Sequence, residues 1–493
     1  MVTKGNASVQ RIGVIGAGIG GLAAAVRLAR RGYSVSVFER SGKPGGKIGE
    51  WHSKGYRFDT GPSLFTLPAL LNEILDPDLH LSLIKLKLLS RNFFSDGAVI
   101  DIPADPEMFS KTVAHATGTQ ASMLQKYLNH AREVYQLTAP AFIFRSLHDW
   151  SSLFRIQNLR YLWQWPRLHA FSTLHSFNTR RLRHPKLVQM MDRFATYNGS
   201  DPYRTPATMA VIAHLENNLG AWLPKQGMHS VVDALVQQAL RLGVNFHLST
   251  SVERIEPDND GYSLWIGENH HHFNKIISNI DIHQFYSHVL PDASRLKRIT
   301  TTERSTSALI FYWGMGAAFP QLDIHNVLFS SNYPEEFDNL FNKKQISPDP
   351  TVYIYISSKT IDNDAPEGCE NWFVMVNAPE NTGQDWETIR SQTRQAIIHK
   401  INKTLRTDVE PLIKTERHLD PVAIETLTGS WRGSLYGASS NSRFSAFARH
   451  DNRHPVYRNL YFTGGSVHPG GGIPLCLASA KIVDQLIEKE SKR

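Results

Sequence analysis

Residues 11–39, RIGVIGAGIGGLAAAVRLARRGYSVSVFE, decide the fold. Residues 12–15 read as a buried parallel strand, and residues 22–31 as an apolar-faced helix that ends at Gly32. Residues 35–38 make the next strand. Between strand and helix, Gly16, Gly18 and Gly21 match G-x-G-x-x-G, where bare backbone approaches a pyrophosphate and a helix N-terminus faces it. Glu39 closes the second strand, roughly twenty residues on, where an acid meets a ribose hydroxyl. The glycine spacing alone is weak evidence. Strand, helix, strand and acid in one register make it a dinucleotide-binding unit.

The next residues, Arg40-Ser41-Gly42-Lys43-Pro44-Gly45-Gly46-Lys47, choose the dinucleotide. A glycine pair with nearby bases suits a second pass of backbone along the pyrophosphate, which an NAD enzyme does not need, so FAD is the expected cofactor. Lys47 reads equally well as a phosphate partner or as a solvated loop lysine. Far along the chain, residues 460–474, LYFTGGSVHPGGGIP, place five glycines between a strand-like and a helix-like segment. A helix starting near Pro474 aims its unpaired N–H groups and positive dipole end at whatever lies against that turn. Paired with the first turn, Gly464, Gly465, Gly471 and Ile473 form the expected second wall of the FAD site. Arg40, Gly46 and Val252 complete the cofactor set.

At 493 residues the chain is too long for one core, so two or three domains are expected. Its only cysteines, Cys369 and Cys476, make no metal pattern and indicate no disulfide, which points to a reducing compartment. Neither zinc spacing nor a Ser/His/Asp triad is present, so no metal is expected. The residues before Arg11 do not resemble a signal peptide, and no apolar run of about eighteen residues offers a bilayer span.

The net charge of +8 is unevenly placed. No acidic residue lies between Asp149 and Asp192, whereas Arg155, Arg160, Arg167, Arg180, Arg181, Arg183 and Lys186 do. Among them stand Trp163, Trp165, Phe171, Leu174 and Phe177. Bases beside aromatics over residues 150–190 suit peripheral contact with anionic lipid. A plain helical core is the second reading. Nucleic acid is not an expected partner.

Further along, HSVVDALVQQALRLG reads as a helix whose Val231, Val232, Leu235 and Leu240 face a core. Residues 244–248, 251–255 and 275–279 read as strands, with a hairpin turn at 258–261 and His270 to His272 in a surface turn. Residues 305–377 carry four strand-like runs and read as a mostly antiparallel sheet forming a substrate wall. The fold class is therefore α/β. A discontinuous Rossmann-like FAD-binding domain (1–75, 224–300, 415–493) is interleaved with a mixed-sheet substrate domain (76–105, 301–414). A helical, basic-aromatic membrane-associating subdomain (106–223) completes the chain.

Along nearly its full length the chain resembles the bacterial carotenoid desaturases, phytoene desaturase and its hydroxycarotenoid relatives. The resemblance rests on the dinucleotide turn and on Phe58-Asp59-Thr60-Gly61-Pro62-Ser63. It continues through Ser278-Asn279-Ile280-Asp281, His325-Asn326, Trp372-Phe373-Val374 and Gly433-Ser434-Leu435-Tyr436-Gly437. Its most specific element is the run from Gly464 to Pro474. Gln226 departs from the family, which often has a second glycine before Gly227. The resemblance implies an amine-oxidase/GDI-like architecture and an FAD-dependent enzyme that introduces double bonds into a lipid-dissolved carotenoid. It also implies a cytoplasmic protein held at the inner face of the cytoplasmic membrane, with quinone or oxygen as electron acceptor. Related end-oxidising enzymes tend to have Asn-Pro in place of His468-Pro469, which favours desaturation. Oxygenase or ketolase, saturase and cis-trans isomerase activities remain alternatives, as does a prenyl-binding escort protein without chemistry. For the proton, His468 is one candidate, and His148 with Asp149 form the other pair. His468 reads more readily as a structural histidine bonding a carbonyl, and Asp149 as a helix cap.

Overall fold

The computed structural model describes residues 9–146, 169, 171–442 and 449–492. Its first layer is a parallel five-stranded sheet in the order Leu460–Phe462, Lys275–Ser278, Arg11–Ile15, Ser34–Phe38, Asn245–His247. Three helices pack around it: Ile19–Arg30, Ser230–Arg241 and Ile473–Ser491. The run Leu22, Ala23, Ala24, Ala25, Val26 is wholly buried against Leu477, Ala480 and Val483 of the last helix. Small alanines allow that close approach. Arg31 then ties the two helix ends together through Asp484 and, at 2.8 Å, Glu488.

Three details correct the sequence reading. Leu240 is 57 % exposed, because it lies on the far side of its helix from Val231 and Leu235. The strand expected at 251–255 is Arg254–Pro257, which leaves Val252 in the connection that passes the first sheet. His270, His271 and His272 form no turn. They lie in the strand Asn269–Phe273, paired with Tyr262–Ile266, whereas the turn expected at 258–261 joins Arg254–Pro257 to Tyr262–Ile266 and is closed by Asp258 N–H to the Gly261 carbonyl at 3.1 Å.

The second layer is a seven-stranded sheet in the order Ile413–Leu419, Ser307–Met315, Glu370–Ala378, Val352–Ile356, His325–Leu328, Leu88–Phe93, Val99–Pro103. All its pairs are antiparallel except His325–Leu328 with Leu88–Phe93. The domain division expected at 414/415 therefore runs through an edge strand. Side chains alternate across the sheet. One face packs Leu309, Phe311, Trp313, Ile354 and Trp372 against Ile397 and Ile401 of the helix Trp386–Leu405. The other face carries a row set by register: Leu419, Ile310, Met375, Tyr353, Val327.

Helices cover that second face: Pro106–Thr117, Ala121–Thr138, Leu174–Leu182 and Pro185–Asp192. Leu174 and Phe177, read above as lipid-facing, are buried core residues, whereas Phe171 is 74 % exposed. His148, Asp149, Trp163 and Trp165 lie outside the described residues. Among the described residues, no helix is long and apolar enough to cross a membrane.

Candidate functional site

Both glycine turns meet at one cavity of about 1630 Å³. What joins them is Asn279, at the end of the strand Lys275–Ser278. Its Nδ2 donates to the Gly16 carbonyl at 3.4 Å. A Cβ on Gly20 would stand 2.6 Å from Asn279 Oδ1 and 2.9 Å from the Gly464 nitrogen, and one on Gly464 would also meet Oδ1 at 2.6 Å. A side chain on Gly20 is excluded by Asn279 and the Gly464 backbone, and one on Gly464 by Asn279. Gly16 itself has φ +95°, open to glycine without strain.

Around this junction the walls carry Gly16, Gly18, Gly46, Gly464, Gly465, Gly471, Ile473 and Val252. Gly21 does not line the cavity; its Cβ would lie 2.1 Å from the Gly16 carbonyl oxygen, so it serves helix–strand packing. Two helices start here without side-chain caps or acidic residues in their first turns, Ile19–Arg30 after Gly18 and Ile473–Ser491 after Gly472. Their first N–H groups are thus kept for a ligand of negative or partly negative character. The carboxylate of Glu39 accepts from Ala17 N–H at 2.8 Å and Ser41 N–H at 2.9 Å, one bond to each oxygen. Each oxygen keeps a lone pair for a ribose hydroxyl.

Lys47 is not a solvated loop lysine. It is open to the cavity yet enclosed by protein, and that burial pushes its pKa down to about 8, with Asp281 opposing. Its Nζ donates to the Leu435 carbonyl at 2.6 Å and the Ser434 carbonyl at 3.3 Å. Asp281 is held by Arg304 at 3.1 Å. Arg449, pushed down to about 10 by burial, donates to the carbonyls of Tyr436 and Ala438 at 3.1 and 2.9 Å. Arg40 reaches the carbonyls of Thr426 and Leu427 at 2.9 and 3.0 Å on the cavity rim. Cations, helix ends and Cβ-free walls together fit a bound dinucleotide with a flat ring.

His468 lines the same cavity, but it is 1 % exposed and its Nε2 lies 2.9 Å from the Arg145 carbonyl. Its own carbonyl accepts from Asn452 Nδ2 at 2.7 Å and Ser479 Oγ at 3.0 Å. Every one of these bonds fastens the glycine loop to its surroundings.

Beyond the cradle, the cavity runs on over the sheet row. Leu419, Ile310, Met375, Tyr353 and Val327 all line it, with Phe142, Ile143, Met209, Ile212 and Leu215 opposite. Five strands at their usual spacing make a floor about 19 Å across. Two polar groups interrupt this lining, and sequence reasoning singled out neither as a site. Ser63 Oγ and His325 Nδ1 each lie 2.7 Å from the Tyr353 hydroxyl. Across from them, the Tyr197 hydroxyl donates to Glu216, with Arg193 beside Tyr197. The signal available for the first group was its two family segments, residues 58–63 and His325-Asn326. For the second there was none, since Arg193 and Tyr197 sit on a 3₁₀ turn and Glu216 on a π-helical turn without amphipathic period.

Comparison with known proteins agrees with this geometry. Residues 19–483 match the family described as flavin containing amine oxidoreductase. A 1-hydroxycarotenoid 3,4-desaturase of Flavobacterium sp. (strain P99-3) is 45 % identical over 96 % of this chain and 98 % of its own. A 4,4'-diapolycopene oxygenase of Methylomonas sp is 30 % identical over 96 % and 97 %. A phytoene desaturase of Fusarium fujikuroi is 31 % identical over 97 % and 89 %. Among solved structures, cyclohexylamine oxidase from Brevibacterium oxydans IH-35A superposes with a TM-score of 0.61 at 14 % identity, covering 98 % of this chain and 100 % of that one. A putrescine oxidase bound to putrescine gives 0.64 at 14 %, covering 98 % and 99 %, which shows a shared fold. The chain belongs to the flavin-containing amine oxidoreductases, in the branch formed by the carotenoid desaturases and their relatives.

Proposed function

We propose that this protein is an FAD-dependent carotenoid desaturase, and that a carotene already hydroxylated at its end is its substrate. The observation that carries the reading is continuity. One cavity joins a dinucleotide cradle to a long apolar floor, in a chain 45 % identical to a 1-hydroxycarotenoid 3,4-desaturase. FAD is favoured over a shorter flavin by Glu39, placed for a ribose, and by the second glycine pass at Gly45-Gly46. Bound FAD supplies the hydride acceptor. The chain's own work is to align the polyene along the row from Leu419 to Val327, to exclude water, and to receive the proton.

Access from a membrane completes the proposal. Phe171 lines the cavity and is exposed, and Arg180, Arg181 and Arg183 project from the helix that follows it. An aromatic rim beside a basic helix suits the headgroup region of an anionic bilayer on its cytoplasmic side. Quinone in that bilayer, or oxygen, takes up the electrons.

Expression in a carotenoid-producing bacterium, beside a Gly18→Trp control, tests the activity. The control is blocked because even a Cβ at Gly18 would lie 2.8 Å from Asn279 Nδ2. Chromatography and mass spectrometry should show pigment lighter by two hydrogens in the wild type alone. Gain of oxygen, or an isomer of unchanged mass, refutes the proposal.

A further inference from the structure

Glu216 is 5 % exposed and lines the cavity among hydrocarbon side chains, on the π-helical turn His214–Leu219. Such turns are frequent at functional sites. Its Oε1 accepts from the Tyr197 hydroxyl, and no described residue donates to Oε2. Arg193 acts on it through space, without ion-pair contact among the described residues. A carboxylate placed so is costly, since burial disfavours its charge and only the Arg193 charge, acting through space, and one hydrogen bond offset this. Burial accordingly holds its pKa above the ordinary carboxylate range.

Three other titratable groups of the cavity are committed elsewhere. His468 is bound to the Arg145 carbonyl, and Asp281 is paired with Arg304. Burial pushes His325 down to about 3, which makes it a poor base, and its Nδ1 is engaged by Tyr353. Glu216 combines an open oxygen with raised basicity in the apolar part of the cavity.

We propose that Glu216 is the catalytic residue that receives the proton during desaturation. The proposal rests on the desaturase reading above. Bound flavin would accept a hydride, with its two electrons, from one carbon of the polyene, and the cation left behind would be delocalised along the conjugated chain. The C–H bond on the adjacent carbon then breaks. Its electron pair becomes the new π bond, and its proton bonds to a Glu216 oxygen. Glu216 returns to the carboxylate by releasing that proton to solvent, so the substrate has lost one hydride and one proton. Tyr197 is a positioning residue, holding the carboxylate by one oxygen.

Glu216→Gln keeps the shape and removes the base. Purified holoenzyme is assayed on a hydroxylated carotene in lipid vesicles. A drop of about a hundredfold or more in kcat, with KM and the flavin spectrum retained, is expected. Glu216→Asp should recover part of the rate. Activity of Glu216→Gln within threefold of the wild type overturns the inference alone; wild-type enzyme that leaves the carotene unchanged refutes the desaturase reading. Should Glu216→Gln lose its flavin, Tyr197→Phe decides. The groups acting on Glu216 are Arg193, Tyr197 and Tyr353, whereas Arg132 and Tyr135 of the helix Ala121–Thr138 act on His214. Removing the Tyr197 hydroxyl takes away a bond that favours the charged carboxylate. The acid limb of the rate then moves to higher pH, and an unmoved limb overturns the proposal.

Discussion

Gly21→Ala isolates the packing that holds the first glycine turn in place. Gly21 has an ordinary φ, so a side chain there meets no backbone strain, only crowding. Its Cβ would stand 2.1 Å from the Gly16 carbonyl oxygen and 3.1 Å from Asn279 Cβ, against ordinary contact from 3.4 Å. The atoms it would meet are backbone and a short side chain packed at the turn. Neither swings aside, so the helix Ile19–Arg30 must shift by roughly 1 Å away from its strand, at about 1–3 kcal/mol. In the flavin-free protein the helix relaxes and the melting temperature falls. Binding the flavin requires the original position, so the same energy appears as roughly 5- to 150-fold weaker affinity. Titration of apoprotein by flavin fluorescence measures this directly. Gly42→Ala is the control, since its Cβ meets only Ser249 Oγ, at 3.7 Å. Gly21→Ala binding within twofold of the wild type, or Gly42→Ala losing as much, refutes the reasoning.

Other perturbations test other parts. Gly227 has φ +80° and a Cβ there would fall 1.8 Å from Arg57 Nη2, a guanidinium bonded to Asp59 at 2.7 Å and Asp364 at 3.2 Å. Gly227→Ala should therefore lower stability by more than about 1 kcal/mol, read by thermal melting, and an unchanged melt contradicts this. Burial raises Glu336 to about 7, although Thr351 donates to it from N–H at 3.0 Å and from Oγ at 2.6 Å. The folded state then holds a proton that the unfolded chain gives up near pH 4.5. Stability attributable to this group is present below that pH and lost as pH rises to about 7. Glu336→Gln should flatten denaturant midpoints across that window. Reversing Arg180, Arg181 and Arg183 to Glu should abolish salt-sensitive cosedimentation with anionic vesicles, and retained binding would remove the membrane proposal from this helix.

The cofactor half was legible in the sequence because its constraints are local. A strand, a glycine turn, a helix and an acid at fixed spacing allow little else, and the helix Ile19–Arg30 and strand Ser34–Phe38 lie within a few residues of expectation. The wall strands were legible too, since Ser307–Met315 is buried on both faces and reads as one unbroken apolar run. The carboxylate was not. Glu216 meets Tyr197 across a fold-dependent gap, from two irregular turns that carry no period. His270 to His272 misled because three polar residues in a row read as a turn, whereas pairing with Tyr262–Ile266 keeps them in a strand. Leu240 misled because periodicity marks a stripe but not its edge.

The contact of Gly20 with Gly464 across Asn279 also has a bearing on synthesis. More than four hundred residues separate the two turns, and ribosomes add ~5–20 residues per second. The two walls are therefore made roughly 20–90 s apart. For the first part of that interval the strand Arg11–Ile15 lacks its neighbour Lys275–Ser278, and for the rest Lys275–Ser278 lacks the edge strand Leu460–Phe462. A nascent chain stalled before residue 460 offers the flavin half a cradle. Tight capture of the flavin thus reports that synthesis has passed the last glycine turn.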